Sequence, residues 1–348
     1  MGRIIEALRP SSLVDSSGIA SPVEGGEPVE AGDALVMVTS GTTGTPKGVV
    51  LSHGAVEASA WATSRRLGVD PSRDSWLACL PLSHVGGLSV LTRAMVTSTP
   101  FEIQPRFSPE QARAAALERG ATLVSLVPAT LSRLGPKGAA LFRTIVLGGQ
   151  HAPVERPANT VTTYGMTETG SGVVYDGFAL EEVEVKVVEG EVFLRGPMLL
   201  RCYRDGSDPK TDDGWLPTGD AGAVDAHGRL SVLGRLDDMV ISGGENVWPV
   251  QIEEVLRKHP GVLEAAVGGL PDPYWGTRVV AYVVASLEGQ RLEPAALLAE
   301  LREIVCEQVA PYASPRELVL VESLPKTAIG KVSRSQLSGL NGPRARAS

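Results

Sequence analysis

The sequence predicts an α/β protein with a large first domain of layered sheets and helices, including a β-rich subdomain, and a small α+β second domain. The chain has 348 residues, more than one ordinary hydrophobic core uses. Short apolar runs alternate with helical patterns before Glu184, where strand-like alternation of polar and apolar residues begins. A polar break at 234–238 follows, so we assign residues 1–235 and 236–348 to the two domains.

The first domain is expected to open with a loose lead-in over residues 10–33, which are rich in Ser, Pro, Gly and Glu. Its predicted strands cover 34–38, 49–51, 76–80, 123–127, 144–147 and 160–163, and its predicted helices cover 54–67, 88–96 and 109–119. Gly120 is expected to cap the last helix. The runs at 123–127 and 144–147 are mainly apolar, which is typical of strands buried on both faces of a sheet.

Further strands at 185–188, 191–194 and 230–233 make up the predicted β-rich subdomain. The second domain is predicted to have helices over 250–258, after Pro249, and over 294–309, with strands over 262–267 and 279–284. Gly, Pro and alternating Arg predict a disordered tail from about residue 338. This order of elements indicates a small α+β fold.

Composition and charge indicate a globular enzyme without a nucleic-acid partner. The apolar fraction is 43%, the charged fraction 21% and the net charge −8, which gives nucleic-acid binding no electrostatic support. The first ten residues carry charges and no long apolar run, so we expect neither a signal peptide nor a membrane span. Cys79, Cys202 and Cys306 are odd in number and lack metal-ligand spacing, which predicts reduced thiols and a cytoplasmic protein.

A glycine- and hydroxyl-rich loop runs from Thr39 to Gly48, between two predicted strands. Glycines let successive backbone N–H groups turn toward one anion, hydroxyls add donors, and a lysine adds positive charge. The residues that could hold a phosphate in this way are Ser40, Gly41, Thr42, Thr43, Gly44 and Lys47. The Walker A pattern is absent, and a strand is expected to follow the loop where Walker A loops have a helix. A plain polar turn is the alternative interpretation.

A second polar stretch, from Tyr164 to Thr169, follows the predicted strand at 160–163. Glu168 is a hard oxygen donor between two hydroxyls, which suits Mg²⁺ bridged to phosphate oxygens. Tyr164 can lie against a flat base. The alternative is a surface turn with a solvated glutamate.

Three further stretches each allow two interpretations. Residues 218–220 form a predicted loop in which Asp220 can accept the hydroxyls of a ribose or make only an Asx turn. Arg235 and Asp237 stand at the domain break, where ordinary linker residues are the alternative. The glycines at 243–244 can let the backbone pass close to a ligand, or they can serve only to make a tight turn.

A last polar stretch at 324–334 carries Lys326 and Lys331 around a loop that contains Pro and Gly. It is either a solvated face or a segment that delivers a lysine into a site. Together, these stretches, with 234–246 taken as one motif, resemble five motifs of the adenylate-forming acyl-CoA synthetase family in the same order. The resemblance runs from about Asp33 to Leu337.

The resemblance implies a two-step ligation. A carboxylate attacks the α-phosphorus of ATP·Mg²⁺ to give pyrophosphate and an acyl-AMP, and the thiol of CoA as co-substrate then displaces AMP. In the family, Asp220 and Arg235 match the ribose-binding residues, Thr167 would contact the α-phosphate, and Glu168 would hold Mg²⁺. The residues that match those binding ATP or AMP are Ser40, Gly41, Thr42, Thr43, Gly44, Lys47, Tyr164, Gly165, Thr167, Asp220 and Arg235.

The family also implies how the acid and the second domain take part. The acid, a small carboxylic acid, would lie against Ser83, His84, Gly148, Gly149 and Thr169, and the catalytic residues would be Lys331, Thr167, Glu168 and His84. Lys331 would bridge carboxylate and phosphate during adenylation. The second domain would be a mobile cap that rotates about a hinge matching Asp237. Rotation would withdraw Lys331 and bring in Gly243, Gly244 and Glu245 to line the CoA channel.

Within the family, residues 80–88 and 126–131 resemble the o-succinylbenzoate–CoA ligases of menaquinone biosynthesis. His84 would then lie near the carboxylate or control its access, and a buried packing histidine is the alternative. Three other interpretations stay open: a ligase for another aryl or acyl acid, an adenylation enzyme that loads a carrier protein, and a nucleotide-binding protein without catalysis.

The chain departs from the family pattern in two places. The phosphate loop begins at residue 39, where most relatives have a much longer preceding region, and the stretch 172–182 looks shortened. That preceding region usually contributes to packing and to a dimer contact, so a homodimer and one wall of the acid pocket stay open. No carrier domain is expected after residue 337, which counts against a fused assembly line.

Overall fold

The computed structural model describes residues 2–39, 46–149, 155–326 and 332–347 of the chain. The chain forms two compact units, the first made of Met1–Thr218 and Val224–Ser231, and the second of Gly219–Ala223 and Val232–Ser348. The boundary between residues 235 and 236 stays a prediction. In the structure, Val232–Arg235 is grouped with the second unit.

The first unit contains most of the helices and strands. Its helices are α1 Gly2–Leu8, α2 His53–Leu67, α3 Val85–Val96, α4 Pro109–Arg119 and α5 Pro128–Ala139. Its strands are β1 Ser12–Val14, β2 Ala20–Pro22, β3 Asp33–Thr39, β4 Lys47–Ser52, β5 Trp76–Ala78, β6 Phe101–Ile103, β7 Leu123–Leu126, β8 Thr144–Leu147, β9 Thr160–Gly165, β10 Gly172–Tyr175, β11 Phe178–Ala179, β12 Glu184–Val188, β13 Glu191–Arg195 and β14 Cys202–Tyr203. Strands β15 Leu216–Val224 and β16 Leu230–Arg235 contain residues of both units.

A seven-stranded sheet in the order β11-β10-β9-β8-β7-β5-β6 is the centre of the first unit. Strands β9, β8, β7, β5 and β6 run parallel, while β10 is antiparallel to β9 and to β11. Every residue of β5, β7 and β8 is buried, because helices α4 and α5 pack on these short apolar strands. The predicted α/β layers are thus confirmed.

Several elements of the first unit were missed by the sequence patterns, among them helix α5 and the hairpin β1–β2. Helix α5 begins with Pro128 at its first turn and is interrupted at Gly135, so prolines and glycines conceal its helical period. The expected loose lead-in contains the hairpin β1–β2, whose residues are all exposed and therefore show no alternation of polar and apolar side chains. By contrast, α4 has the predicted bounds and Gly120 is its cap.

The second unit is the predicted α+β fold. Its strands are β17 Val240–Ser242, β18 Glu245–Val247, β19 Val262–Asp272, β20 Gly276–Ala285, β21 Glu317–Leu320 and β22 Arg344–Arg346, and its helices are α6 Pro249–Leu256 and α7 Pro294–Gln308. A four-stranded sheet has the order β19-β20-β21-β22, with β20 and β21 parallel. Helices α6 and α7 cover one face of this sheet through residues such as Leu256 and Leu301. Leu324 and Leu337 cover the other face.

The prediction of a disordered tail from about residue 338 is wrong for its last residues. Strand β22 pairs with β21, and the buried Ala345 separates two arginines. Arg344 and Arg346 both bind the carboxylate of Glu317, which is 0% exposed and also pairs with Arg278. A buried carboxylate needs such partners, so the alternating arginines that suggested a solvated tail hold a strand in place.

No helix in the described ranges is both long and apolar enough to cross a membrane.

Asp74 connects the start of β5 with the segments before β7 and β8. Its carboxylate accepts hydrogen bonds from Arg143 at 2.8 and 2.9 Å, from Thr122 Oγ1 at 2.8 Å and from the backbone N–H of Asp70 at 2.9 Å. Burial alone would raise the pKa of Asp74, but the bonds from Arg143, Asp70 and Thr122 outweigh it and keep the pKa below its ordinary value of 3.8. A carboxyl with a lowered folded-state pKa stabilises the fold above its unfolded pKa, and this contribution is lost as pH falls through the folded pKa.

We therefore expect Asp74→Asn to lower the free energy of unfolding by about 2 kcal/mol at pH 7, since hydrogen bonds to a charged group are lost. The difference from wild type should shrink as the pH falls below 3.8. Guanidinium unfolding at a series of pH values measures it, with the exposed Asp212→Asn as the control. A destabilisation that stays constant down to the lowest pH would contradict the ionic origin.

Candidate active site

Five of the site residues predicted in the first unit follow or end parallel strands of the seven-stranded sheet. Strands β5, β7, β8 and β9 are parallel, so their carboxyl ends lie at the same edge. Beyond these ends come His84 after β5 and Gly148 and Gly149 after β8, while Tyr164 and Gly165 end β9. Ligands of open parallel sheets bind at this edge, so the topology agrees with the placement of these residues in one site.

Ser83 and His84 come directly before helix α3, and both are exposed. His84 takes the N-cap position with an extended backbone, and its side chain makes no capping hydrogen bond. The alternative of a buried packing histidine is therefore wrong. The imidazole is accessible to a ligand at the edge of the sheet.

A small, mainly apolar cavity lies between α2, α3 and the β3–β4 pair. Its wall includes Val85, which follows His84, and Gly170, which follows Thr169. Its other lining residues are Leu35, Leu51, Val56, Ser59, Leu88, Ser89 and Thr92. None of the five residues predicted to touch the acid lines this cavity itself, although His84 and Thr169 each precede a residue that does.

The structure describes only the two ends of the predicted phosphate loop. Ser40, Gly41, Thr42, Thr43 and Gly44 lie outside the described residues. Thr39 ends β3 and Lys47 begins β4, and these two residues pair with each other in an antiparallel ladder. The prediction that two strands flank the loop is confirmed.

The segment from Tyr164 to Thr169 passes from the end of β9 into a short 3₁₀ turn, Thr167–Thr169. Thr169 is 0% exposed; its hydroxyl accepts from the N–H of Met166 at 2.9 Å and donates to Ser171 O at 2.6 Å. This hydroxyl therefore fixes the turn. Glu168 is half-buried, and its main-chain oxygen accepts the N–H of Leu200 at 2.7 Å. A solvated surface glutamate does not fit this environment.

Tyr203 connects the lysine of the phosphate loop to this segment, and the sequence motifs did not single it out. The ammonium of Lys47 lies 4.6 Å from the centre of the Tyr203 ring. The hydroxyl of Tyr203 donates to Glu168 Oε1 at 3.1 Å. No local pattern could have found Tyr203, because its position depends on the pairing of β14 with β4.

In the second unit, Asp220 and Arg235 lie next to each other. Arg235 Nη1 donates to Asp220 Oδ1 at 3.2 Å, and Asp220 is buried. The expected loop at 218–220 is instead part of strand β15, because β15 lies between β13 and β16 in a four-stranded sheet. Gly219 has φ +69° and lies under the guanidinium, where a Cβ would come within 2.7 Å of Arg235 Nη2. Two predicted ribose-binding side chains are thus brought together.

The glycine turn at 243–244 joins β17 to β18. Ser242 pairs with Glu245, and the two glycines between them have φ of +61° and +85°, as a tight hairpin turn requires. Gly243 donates its N–H to Trp275 O at 3.0 Å. Gly243, Gly244 and Glu245 are exposed, so the backbone of this hairpin is open to solvent.

Asp237 is exposed and lies on a 3₁₀ turn, Leu236–Asp238. The neighbouring Asp238 accepts a hydrogen bond from Arg334 at 3.0 Å. Lys331 lies outside the described residues. On either side of its segment, Lys326 and Val332 form a bridge.

Among the described residues, no three His, Cys, Asp or Glu side chains converge as a metal site. Glu168 offers one carboxylate, with Tyr203 hydrogen-bonded to one of its oxygens. Mg²⁺ in nucleotide sites is usually bound by one or two carboxylates together with phosphate oxygens and waters. This donor set fits a Mg²⁺ that is bound together with a nucleotide.

The cysteines are free, as predicted. Cys79 is buried, Cys202 is half-buried and Cys306 is exposed. Burial raises the pKa of Cys79 to about 12, so its thiol stays protonated and unreactive.

Two family models match the chain. Residues 6–204 match the AMP-binding enzyme model, and residues 251–331 match the AMP-binding enzyme C-terminal domain model. A 2-succinylbenzoate–CoA ligase of Listeria monocytogenes serotype 4b is 37% identical over 332 residues, covering 87% of this chain and 69% of the relative. A 2-succinylbenzoate–CoA ligase of Bacillus cytotoxicus is 37% identical over 342 residues, covering 88% and 69%.

Solved structures show the same similarity. The o-succinylbenzoate CoA synthetase (MenE) of Bacillus subtilis, in complex with the acyl-adenylate intermediate OSB-AMP, has a TM-score of 0.81 at 32% identity, covering 94% of this chain and 73% of that chain. The same enzyme in complex with ATP and a magnesium ion has a TM-score of 0.79 at 32% identity, covering 91% and 73%.

Proposed function

Because the chain belongs to the AMP-binding enzyme family, we propose that it is an ATP-dependent acid–CoA ligase that works through an acyl-adenylate. The acid is 2-succinylbenzoate, and the products are 2-succinylbenzoyl-CoA, AMP and diphosphate, in menaquinone biosynthesis. The names and identities of the relatives support this substrate. The observation that carries the proposal is that Lys47 and Glu168 both contact Tyr203, beside the predicted phosphate loop: Lys47 contacts the ring face and Glu168 the hydroxyl.

The electrostatics of the first step explain this arrangement. A carboxylate and a triphosphate repel each other, so the site must hold both and stabilise the charge that develops between them. We assign Lys47 and the loop residues Ser40, Gly41, Thr42, Thr43 and Gly44 to the phosphates, and Thr167 to the α-phosphate. Glu168 holds Mg²⁺, which neutralises phosphate charge when bound. Lys331 bridges the carboxylate and the α-phosphate.

The remaining assignments rest on the match of these residues to the family's motifs. Tyr164 and Gly165 border the base, and Asp220 and Arg235 bind the ribose, since an aspartate paired with an arginine keeps its oxygens oriented. Ser83, His84, Gly148 and Gly149 border the acid, with His84 at its carboxylate. The predicted contact of Thr169 with the acid is not kept, because Thr169 is fully buried and its hydroxyl fixes the turn that carries Glu168. Gly243, Gly244 and Glu245 border CoA, and Asp237 is the hinge of a mobile second domain. The free thiols and the use of ATP and CoA support a cytoplasmic location.

Pyrophosphate release with ATP and Mg²⁺ tests the proposal. The panel contains 2-succinylbenzoate, benzoate, malonate and octanoate, each with and without CoA, and the thioester is identified by mass spectrometry. We expect multiple turnovers with 2-succinylbenzoate and CoA, and slow release without CoA because the acyl-AMP stays bound.

Turnover on a different acid would keep the mechanism and reject the pathway. An acyl-AMP that transfers to a carrier-protein thiol but not to CoA would favour the carrier-loading enzyme. A chain that binds ATP without releasing pyrophosphate on any acid would favour a nucleotide-binding protein without catalysis.

A further inference from the structure

The ring of Tyr203 contacts two groups of opposite charge through different parts. Its face lies 4.6 Å from the ammonium of Lys47, and its hydroxyl donates to Glu168 Oε1 at 3.1 Å. Within the described part of the chain, no ion pair joins Lys47 to Glu168 directly. Tyr203 therefore contacts both charged side chains, which do not pair with each other.

Backbone pairing fixes the ring in this place. Tyr203 lies opposite Val49 in the β14–β4 pair, two positions along from Lys47. The next residue, Arg204, donates its N–H to Gly48 O at 2.7 Å, which extends the pairing toward Lys47. On the other side, the N–H of Leu200 donates to the main-chain oxygen of Glu168. Both neighbours of the ring are thus tied to the segment that carries it.

The two contacts have different chemical effects. An aromatic face attracts a cation without neutralising it, so Lys47 keeps its full charge for a phosphate. A single hydrogen bond orients the carboxylate and leaves its other oxygen for a hard cation. If the ring were absent, Lys47 and Glu168 could form an ion pair, and both charges would be partly lost to an anionic ligand and its cation.

We propose that Tyr203 is a positioning residue for MgATP: its hydroxyl orients Glu168 toward Mg²⁺, and its ring keeps Lys47 separate from Glu168 and available to the phosphates. This inference rests on the proposed function, because it assigns the carboxylate to Mg²⁺ and the ammonium to the nucleotide.

Two substitutions separate the two contacts. Tyr203→Phe removes the hydroxyl and keeps the ring, so we expect MgATP to bind about tenfold more weakly. Binding of metal-free ATP should stay within about twofold, because Lys47 keeps its aromatic contact. Tyr203→Leu removes both contacts and should weaken the binding of MgATP and of metal-free ATP. Calorimetric titration of the full chain with ATP, in Mg²⁺ and in EDTA, measures the four constants.

A double-mutant cycle tests whether Tyr203 acts through Glu168. On a Glu168→Gln background, Tyr203→Phe should cause no further loss of MgATP affinity, because the carboxylate that it orients is gone. Tyr175→Phe is the matched control: it removes a buried hydroxyl that bonds Thr63 Oγ1 at 3.1 Å in the same unit. It should leave both affinities at the wild-type value.

Wild-type MgATP affinity in Tyr203→Phe would overturn the inference while the proposed function stands. A loss of equal size in Mg²⁺ and in EDTA would also overturn it, since a merely structural role has no metal dependence. If Tyr203→Phe does not fold, Tyr203→Leu takes its place: it must weaken the binding of MgATP more than that of metal-free ATP, and this excess must vanish on a Glu168→Gln background. A wild-type chain that binds no ATP would reject the proposed function as well.

Discussion

Replacement of Lys331 by alanine should slow acyl-adenylate formation by about 10²–10³-fold, the usual loss when one group that stabilises developing charge is removed. Thioester formation from supplied acyl-AMP should stay within about twofold, because the carboxylate is already activated and no charge develops between carboxylate and phosphate. The prediction rests on the motif at 324–334, since Lys331 lies outside the described residues.

Two assays separate the half-reactions. Single-turnover pyrophosphate release measures adenylation, and chromatography of the product from synthetic 2-succinylbenzoyl-AMP and CoA measures thioester formation. Lys326→Ala is the matched control, because Lys326 lies in the same motif and pairs with the half-buried Glu264 at 2.7 Å. Equal loss of both half-reactions in Lys331→Ala would contradict the assignment of Lys331 to the adenylation step alone.

Arg334→Met should lower the free energy of unfolding by about 3–5 kcal/mol, because it leaves a buried carboxylate without its main partner. Glu253 is 5% exposed and accepts hydrogen bonds from both terminal nitrogens of Arg334. Burial would lower the pKa of Arg334, but Glu253 and Asp238 outweigh it and raise the pKa. Arg334 also donates to Val267 O at 2.8 Å. One guanidinium thus connects α6, β19 and the turn at Leu236–Asp238.

Guanidinium unfolding of the full chain, followed by tryptophan fluorescence and circular dichroism, measures the change. The exposed Arg291→Met is the control for loss of a positive charge in the same unit. Arg334→Met combined with Glu253→Leu should recover most of the loss, since an apolar pair can replace a buried ion pair at little cost. A double variant as unstable as the single one would show that the ion pair is not the cause.

Elements with a clear period or cap could be predicted from the sequence. Strand β8 and helix α4 have the predicted bounds, because an apolar run and a Ser–Pro start with a Gly end are local features. Helix α5 and hairpin β1–β2 could not be predicted, since proline and glycine break one pattern and full exposure removes the other. Strand β22 depends on Glu317, a partner far away in the sequence.

The same distinction holds for the site. Glu168, Asp220 and Arg235 stand in recognisable motifs, and the structure gives each a defined partner. The strand position of Asp220 could not be predicted, because its neighbours Thr218 and Gly219 look like a turn. Tyr203 has no motif, and only the pairing of β14 with β4 places it beside Lys47.

The arginines of β22 bear on how the protein behaves when its end is trimmed. Cleavage after Leu340 would leave the carboxylate of Glu317 with only Arg278 of its three guanidinium partners. It would also remove the buried Ala345 and so expose the apolar surface that this residue covers. The edge of β21 would then be unpaired, and an unpaired apolar strand edge is a template for aggregation. Proteolytic removal of β22 would therefore produce an aggregation-prone, poorly soluble protein, although the residues of β22 look dispensable in the sequence.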